Sequence, residues 1–274
     1  MSGFLQEMHR SSAQRVAEAR RREPLGALER RARQTPPAPA LKLSGAFDVI
    51  AELKLRSPAQ GVLRDRAHDW QSRVGAYARA GAAAVSVLTE PTRFDGSLEH
   101  LREAAAALAP LGVPAMRKDF VVDPYQVLEA RAAGAGGVLL IARMLRREHI
   151  AELLKVAIDQ GLFVLLEAFD AADLEVCREL IGSEVQANGS VLVGVNCRDL
   201  DTLKVEQARF KELAPLLPAR ALCVAESGVA TAADALEMRR LGYRLALIGT
   251  ALMTREDPAL LLKEIFAATR TVQS

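Results

Sequence analysis

Short apolar runs recur along the chain, and segments rich in Ala, Leu, Glu and Arg with helical spacing separate them. The runs cover residues 48–54, 83–89, 113–118, 137–142, 162–167, 191–196, 221–226 and 245–249. The helical segments cover residues 70–80, 98–109, 125–133, 147–160, 171–181, 205–213 and 232–241. Glycines suited to helix ends follow several of them, at Gly81, Gly112, Gly134, Gly161 and Gly242. Strands that alternate with helices in this way pair in parallel through right-handed crossovers.

The number of strand–helix units predicts the fold. Eight units fit a (β/α)8 TIM barrel, and we expect a single barrel over residues 41–274. The competing architecture is a doubly wound open sheet. That fold usually places a Gly-x-Gly-x-x-Gly turn after its first strand, and the motif is absent from the chain. The pattern therefore favours the barrel.

Residues 1–40 predict a helical extension followed by a linker. Residues 4–33 have a helix-forming composition interrupted by Pro24, and residues 34–40 are rich in proline. Because of these two features, we expect the helices to act as a mobile lid. Residues 15–22 form the most basic patch, but interleaved glutamates favour a solvated helix face over a nucleic-acid arm.

Composition narrows the class of protein. The chain has 274 residues, 50% of them hydrophobic and 26% charged, so it can bury a large core. A formal net charge of +2 gives no reason to expect nucleic acid or an anionic membrane as a partner. Three cysteines without paired spacing and four scattered histidines argue against a disulfide framework and a metal site. With no membrane-length apolar run and no signal-peptide core, we expect a cytoplasmic monomer.

Two opposite charges stand where the first strand ends. Glu52 and Lys54 are two residues apart, so both side chains leave the same face of a strand. Burying such charges is costly unless they pair or meet a charged ligand. Taken alone, the pair fits equally well an exposed edge strand with one surface ion pair.

Several other strands also end in polar or charged residues. The residues that close them are Lys118, Glu167, Asn196 with Arg198, and Glu226. In a (β/α)8 barrel the C-terminal ends of the strands meet around one mouth, where active sites lie. Lysine and glutamate held together in a cleft suit general acid–base chemistry, because burial and neighbouring charges adjust their pKa values. The strand ends therefore predict an acid–base site.

The last two strand ends predict a phosphate site. Ser227-Gly228 and Gly249-Thr250 each offer a backbone N–H beside a small hydroxyl side chain, and residues 251–253 fit the start of a short helix. The loops after strands seven and eight form the recurrent phosphate site of these barrels. A phosphorylated small molecule is therefore the expected substrate.

The same residues lie in motifs that resemble the indole-3-glycerol phosphate synthase family. The motifs are Ile-Ala-Glu52-Leu-Lys54-x-x-Ser57-Pro58, Ser-Val-Leu-Thr-Glu90, Phe94-Asp-Gly96-Ser97, Arg-Lys118-Asp-Phe120, Asp-Pro-Tyr-Gln126, Leu-Leu-Glu167, Gly-Val-Asn196-x-Arg198-Asp-Leu200, Ala-Glu226-Ser227-Gly228 and Ile-Gly249-Thr250-Ala-Leu-Met253. They follow the family's order across residues 48–253, and the N-terminal helices resemble the family's extra helix ahead of strand one.

The resemblance implies a carbon–carbon lyase of tryptophan biosynthesis. It would close 1-(2-carboxyphenylamino)-1-deoxyribulose 5-phosphate to indole-3-glycerol phosphate, releasing CO2 and water without a metal or organic cofactor. By this resemblance Lys118 is the general acid and Glu167 the general base. The other catalytic assignments are Glu52, Lys54, Asn196 and Glu226. The substrate contacts implied are Arg198 at the hydroxyls, Ser57, Ser227, Gly228, Gly249 and Thr250 at the phosphate, and Phe94, Phe120 and Leu200 around the anthranilate ring.

The chain departs from the family pattern near this site. The departures are Leu55, Ala59, Gln60, Arg93, Phe169 and Cys197, with a short insertion at residues 182–190. Those at Leu55, Ala59 and Arg93 could weaken binding of the substrate's phosphate or ring. None falls on the acid or the base.

Two alternative functions remain. Another phosphate-binding barrel enzyme, such as phosphoribosylanthranilate isomerase, would require a Cys–Asp pair at strand ends, whereas Cys197 follows the strand-six Asn196 and fits a small buried filler. A non-catalytic barrel that kept the pocket would have no use for both Lys118 and Glu167.

Overall fold

Eight parallel strands close into a barrel in the computed structural model, which describes residues 3–57, 61–62, 70–182, 191–200 and 202–270. The barrel strands are β1 (Asp48–Leu53), β2 (Ala84–Leu88), β3 (Ala115–Lys118), β4 (Gly137–Ile141), β5 (Phe163–Ala168), β6 (Val191–Asn196), β7 (Leu222–Glu226) and β8 (Leu245–Ile248). Each strand pairs with its neighbours in the chain, and β8 pairs with β1 to close the ring. The predicted barrel is therefore confirmed, and the open sheet is wrong.

Helices lie between and around the strands. They are α1 (Gly3–Arg22), α2 (Leu25–Gln34), α3 (Trp70–Arg79), α4 (Pro91–Phe94), α5 (Leu98–Leu108), α6 (Pro124–Ala132), α7 (Arg147–Asp159), α8 (Ala171–Gly182), α9 (Ala208–Leu213), α10 (Ala232–Arg240), α11 (Thr250–Thr254) and α12 (Pro258–Arg270). Pro24 separates α1 from α2 as the sequence predicts. Each glycine predicted to end a helix has a positive φ, which a side chain would strain.

The strands divide their side chains between two apolar layers. Successive residues point to opposite faces, so one set packs outward against the helices and the other fills the barrel. The inward set includes Ile50, Met116, Leu139, Leu165, Leu192, Val224 and Leu247. Because both faces are buried, the strands read as continuous apolar runs in the sequence.

Helix α1 packs onto the mouth of the barrel. Its Leu5 and Met8 are buried in the same cluster as the inward strand residues, together with Phe120. Val16, further along α1, packs against Tyr125 of α6. Among the helices of the described ranges, none has the length and hydropathy needed to cross a membrane.

Candidate active site

A cavity of about 320 Å³ opens at the C-terminal ends of the strands. Most of the predicted site residues line it, namely Glu52, Lys54, Phe94, Lys118, Phe120, Glu167, Asn196, Arg198, Leu200, Ser227, Gly228, Gly249 and Thr250. Glu226 is fully buried and contacts the cavity through its ion pair with Lys118. Ser57 belongs to a small hairpin formed by Arg56–Ser57 and Gly61–Val62, but its side chain lies outside the described part of the structure. Residues 58–60 and most of the predicted insertion, 183–190, also lie outside it.

The Lys118 ammonium lies among the carboxyl groups of three glutamates from three other strands. Its Nζ is 2.9 Å from Glu226 Oε2, 3.5 Å from Glu167 Oε2 and 3.8 Å from Glu52 Oε2. These side chains meet because Glu52, Lys118, Glu167 and Glu226 all point inward one layer above the apolar filling of the barrel. Glu52 also contacts Lys54, with its Oε1 3.1 Å from the Lys54 Nζ. The surface ion pair considered for Glu52 and Lys54 is wrong, because Glu52 is 4% exposed.

This arrangement sets the charge of each group. Burial alone would lower the pKa of Lys118, but Glu226, Glu167 and Glu52 outweigh burial and raise that pKa above its usual range. Burial alone would raise the pKa of Glu52, yet Lys54 and Lys118 hold it below its usual value. Burial and the charge of Glu167 raise the pKa of Glu226 to about 8, although Lys118 opposes them. At neutral pH the site therefore holds an ammonium at Lys118, a carboxylate at Glu52 and a proton on Glu226.

Hydrogen bonds fix the orientation of Glu167. The Asn196 side-chain amide donates to Glu167 Oε1 at 3.2 Å, while Asn196 Oδ1 accepts from the backbone N–H of Arg198 at 2.9 Å. The Arg198 guanidinium in turn donates to the Leu203 carbonyl at 2.8 Å. Glu167 Oε2 and Glu226 Oε1 are buried and lack a hydrogen-bond partner within the described residues. A proton on Glu226 supplies a donor to this pair of facing carboxyl groups.

Part of the cavity lining is apolar and aromatic. The Phe94 and Phe120 rings lie 6.3 Å apart, and the Phe4 ring from α1 meets the Phe120 ring edge-on at 5.8 Å. Leu88, Leu139, Ile141, Leu200 and Leu247, which come from several strands and loops around the mouth, also line the cavity. Such a surface suits a planar aromatic group. Phe4 is not among the site residues predicted from the sequence, although Phe4, Leu5, Met8 and Ser12 follow helical spacing on one face of α1.

The side of the cavity formed after β7 and β8 is built from small residues. Ser227 has φ +60° and Gly228 has φ +125°, so the loop turns sharply behind Glu226. Gly249 has no room for a side chain, because a Cβ there would overlap Glu52 Oε1. Thr250 begins the short helix α11, as the sequence predicts. Glycine at 249 therefore lets the Glu52 carboxylate approach the backbone.

Several departures from the family pattern take no part in the cavity wall. Arg93 pairs with Glu7 of α1 at 2.5 Å, and Leu55 packs against the outer apolar layer. The Arg143 guanidinium covers the Phe169 ring at 4.7 Å. Burial raises the pKa of Cys197 to about 12, so its thiol stays protonated and is a poor nucleophile.

The described residues do not group as metal ligands do. Across these ranges, no three side chains among His, Cys, Asp and Glu are arranged to hold a metal ion. The carboxylates of the cavity instead contact Lys118 and Lys54. The absence of a metal or organic cofactor from the reaction stays a prediction.

Comparison with known proteins gives a consistent result. The family model for indole-3-glycerol phosphate synthase matches residues 5–265. An indole-3-glycerol phosphate synthase of Leifsonia xyli subsp. xyli is 42% identical over 252 residues, which cover 90% of this chain and 92% of the relative. One from a Parafrankia species is 41% identical over 256 residues, covering 92% and 91%.

Solved structures support the barrel. The 3-hexulose-6-phosphate synthase of Salmonella typhimurium superposes with a TM-score of 0.61 at 12% identity, covering 82% of this chain and 99% of that one, and this likeness concerns the fold alone. The family resemblance seen in the sequence is confirmed by the family match and the curated relatives. The chain belongs to the indole-3-glycerol phosphate synthase family.

Proposed function

We propose that this chain closes the indole ring of 1-(2-carboxyphenylamino)-1-deoxyribulose 5-phosphate, releasing CO2 and water to give indole-3-glycerol phosphate. The observation that carries the proposal is one half-buried ammonium, Lys118, facing three glutamates in a cavity that aromatic side chains also line. This reaction requires proton donors and acceptors next to a planar apolar group. Family membership supports the same activity.

Lys118 is proposed as the general acid of ring closure. The ring carbon that bears the carboxylate attacks the ketone carbon, a C–C bond forms, and the ketone oxygen takes the Lys118 proton. Loss of CO2 then returns its bonding electrons to the ring. The raised pKa of Lys118 supports this role, because it keeps the side chain protonated before the substrate binds.

Glu167 is proposed as the general base of the dehydration. The new hydroxyl leaves as water with a proton from an acid, and the neighbouring CH2 carbon of the new ring loses a proton to Glu167. The carbon–carbon double bond of the indole forms in this step, and the ring nitrogen keeps its hydrogen. The hydrogen bond from Asn196 would hold the carboxylate in place during this step. Glu52 supports the proton transfers, and Lys54, paired with Glu52, holds the substrate's negative charge or serves as the second acid.

The remaining assignments follow the walls of the cavity. Phe94, Phe120 and Leu200 would enclose the anthranilate ring, and Arg198 would orient the sugar hydroxyls. Ser57, Ser227, Gly228, Gly249 and Thr250 would surround the phosphate. Support comes from the cavity itself, since the small residues of the last two loops line the same cavity as these apolar side chains.

The wider organisation is proposed on the same basis. Residues 1–40 form an N-terminal extension and linker, and residues 41–274 form the catalytic barrel. We further propose a cytoplasmic monomer that acts on a phosphorylated small molecule, with neither nucleic acid nor membrane as partner. Family membership supports the phosphorylated substrate, and the formal net charge of only +2 gives no reason to expect a polyanionic partner. Sedimentation equilibrium across a range of protein concentrations tests the monomer.

The activity is tested by incubating the purified protein with the carboxyphenylamino-deoxyribulose phosphate and following indole fluorescence. Wild type should form product, and Lys118→Ala should lose about a hundredfold or more in kcat. Lys155→Ala is the matched control, because Lys155 is an exposed lysine on α7 paired with Asp159. Glu167→Gln, which leaves no carboxylate base, should also lose activity while remaining folded by circular dichroism.

Two results would contradict the proposal. The first is no product from folded wild-type protein, which would favour a barrel that only binds. The second is undiminished product from Lys118→Ala, which would place the acid elsewhere.

A further inference from the structure

The segment after β3 is held from two sides by buried polar contacts. Asp119, which stands between Lys118 and Phe120, is 2% exposed. Its carboxylate accepts from the Thr89 hydroxyl at 2.7 Å, from the Arg117 guanidinium at 3.0 Å and from the backbone N–H of Phe120 at 2.8 Å. These partners belong to the barrel itself.

A further partner of Asp119 comes from the N-terminal extension. Arg15 of α1 donates two hydrogen bonds to Asp119, at 2.8 Å to Oδ1 and 3.0 Å to Oδ2. This two-pronged geometry is the strong form of an arginine–carboxylate contact. Although burial alone would raise the pKa of Asp119, Arg117 and Arg15 hold it well below its usual range. The carboxylate therefore stays charged, and Arg15 supplies part of the charge that balances it.

A second contact ties α1 to the same segment. The Ser12 hydroxyl donates to the Phe120 carbonyl, and the Gln126 side-chain amide donates to the Ser12 oxygen at 2.8 Å. Gln126 Oε1 accepts from the backbone N–H of Val122 at 2.7 Å. Ser12 is fully buried. Residues 119–122 are thus bonded to α1 at two points, one charged and one neutral.

We propose that Arg15 is a positioning residue, which through Asp119 fixes the segment that carries Lys118 and Phe120. This inference rests on the proposed function, because the groups it positions are the proposed acid and one wall of the ring site. The chain places Lys118 directly before Asp119 and Phe120 directly after it, so a shift of Asp119 moves both. Phe4, on the same helix as Arg15, already meets the Phe120 ring.

The consequence for catalysis follows from the distances around Lys118. Its ammonium is within 3.8 Å of three different glutamate side chains, and a displacement of about 1 Å can cost on the order of a hundredfold in rate. Arg117 would still balance Asp119 after loss of Arg15, so the barrel should remain folded. A loosened segment should therefore lower kcat and weaken ring binding without unfolding the protein.

The test compares Arg15→Met with Arg20→Met. Arg20 is a matched control on the same helix, since it also pairs with an aspartate, Asp123, at 2.7 Å. That ion pair is exposed, so it should contribute little to stability. Arg15→Met should lower kcat by about tenfold or more, measured well below its melting temperature. Arg15→Lys, which keeps the charge but loses the two-pronged contact, should recover part of that loss. Arg20→Met should match wild type.

Two readouts separate positioning from a merely structural role. Amide exchange of residues 119–122 should become faster in Arg15→Met, and the fluorescence titration of indole-3-glycerol phosphate should show weaker binding. The proposal would be overturned if Arg15→Met lowered the melting temperature but left kcat, binding and the exchange of residues 119–122 unchanged. It would also be overturned if Arg20→Met lost as much kcat as Arg15→Met. If wild type makes no product, the proposed function fails, and the exchange comparison still decides whether Arg15 holds the segment.

Discussion

Glu226 occupies the space that a side chain at position 194 would take. Gly194 faces the inside of the barrel on β6, and a Cβ built there would overlap Glu226 Oε1. The other oxygen of Glu226 lies 2.9 Å from the Lys118 Nζ. The absence of a side chain at Gly194 is therefore what allows the carboxyl group to reach the proposed acid.

Replacing this glycine tests how far catalysis depends on the position of Glu226. In Gly194→Ala the methyl group must displace the carboxyl group, because the two would overlap in a close-packed interior. We expect kcat to fall by about tenfold or more, with the fold retained by circular dichroism. Steady-state kinetics of ring closure measure this change.

Gly182→Ala is the control for the loss of a glycine. Position 182 ends α8, and a Cβ placed there has no atom of the described residues within 4 Å apart from its chain neighbours and its own helix. That variant should keep the kcat of wild type. Equal kcat values for Gly194→Ala and wild type would mean that the placement of Glu226 is unimportant.

The raised pKa of Glu226 predicts a pH-dependent stability. The folded protein keeps this proton up to about pH 8, whereas the unfolded chain releases it near the ordinary value of 4.5. The stability contributed by the neutral carboxyl is therefore fully present below about pH 4.5 and is lost as the pH rises through about 8. Glu226→Gln cannot ionise and should escape this loss.

Urea unfolding across that pH range measures the effect. Between about pH 5 and pH 9, the free energy of unfolding of wild type should fall relative to that of Glu226→Gln by about 1 kcal/mol or more. Glu152→Gln, an exposed change on α7, serves as the control and should follow wild type. A constant difference between wild type and Glu226→Gln would show that Glu226 ionises normally.

The barrel could be predicted because its strands are buried on both faces. The run at 113–118 is observed as Ala115–Lys118, and that at 245–249 as Leu245–Ile248, so the errors are confined to strand ends. Helices α4 and α12 were not predicted. Helix α4 is only one turn long and is ended by Asp95 in the left-handed region, a geometry that hydrophobic spacing does not reveal.

The candidate site could be predicted only in part. Alternation along the strands places Glu52, Lys118 and Glu167 inside the barrel, so their meeting follows from the sequence once the barrel is assumed. Which carboxylate lies nearest to Lys118 depends on the stagger of the strands, and sequence spacing does not give it. The contact of Arg15 with Asp119 joins residues far apart in the chain, and a basic residue on an N-terminal helix gives no sign of its partner.

The proposed phosphate position is tested at Ser227. Its left-handed backbone, with φ +60°, is one that Asp and Asn tolerate better than most residues. Ser227→Asp places a negative charge against the cavity on the side of the last two loops. We expect the KM for the phosphorylated substrate to rise by about tenfold or more, because like charges repel strongly in a partly buried site.

Ser227→Asn is the control, because asparagine has nearly the same size and shape as aspartate but carries no charge. Its KM should stay within about threefold of wild type, since an amide can still donate a hydrogen bond to a phosphate oxygen. If the Asp and Asn variants raise KM equally, the phosphate does not bind beside Ser227.

Two expectations for α1 conflict, and hydrogen exchange separates them. Pro24 and the proline-rich linker favour a mobile lid, whereas Leu5, Met8 and Ser12 are fully or almost fully buried and favour a fixed wall. We expect slow exchange in the middle of α1 with and without a substrate analogue whose ketone is reduced to an alcohol, so that ring closure cannot begin. Local opening of a helix with this many buried contacts should be rare. Fast exchange that the analogue suppresses, with the exchange of α7 unchanged, would instead establish α1 as a lid that closes over the bound substrate.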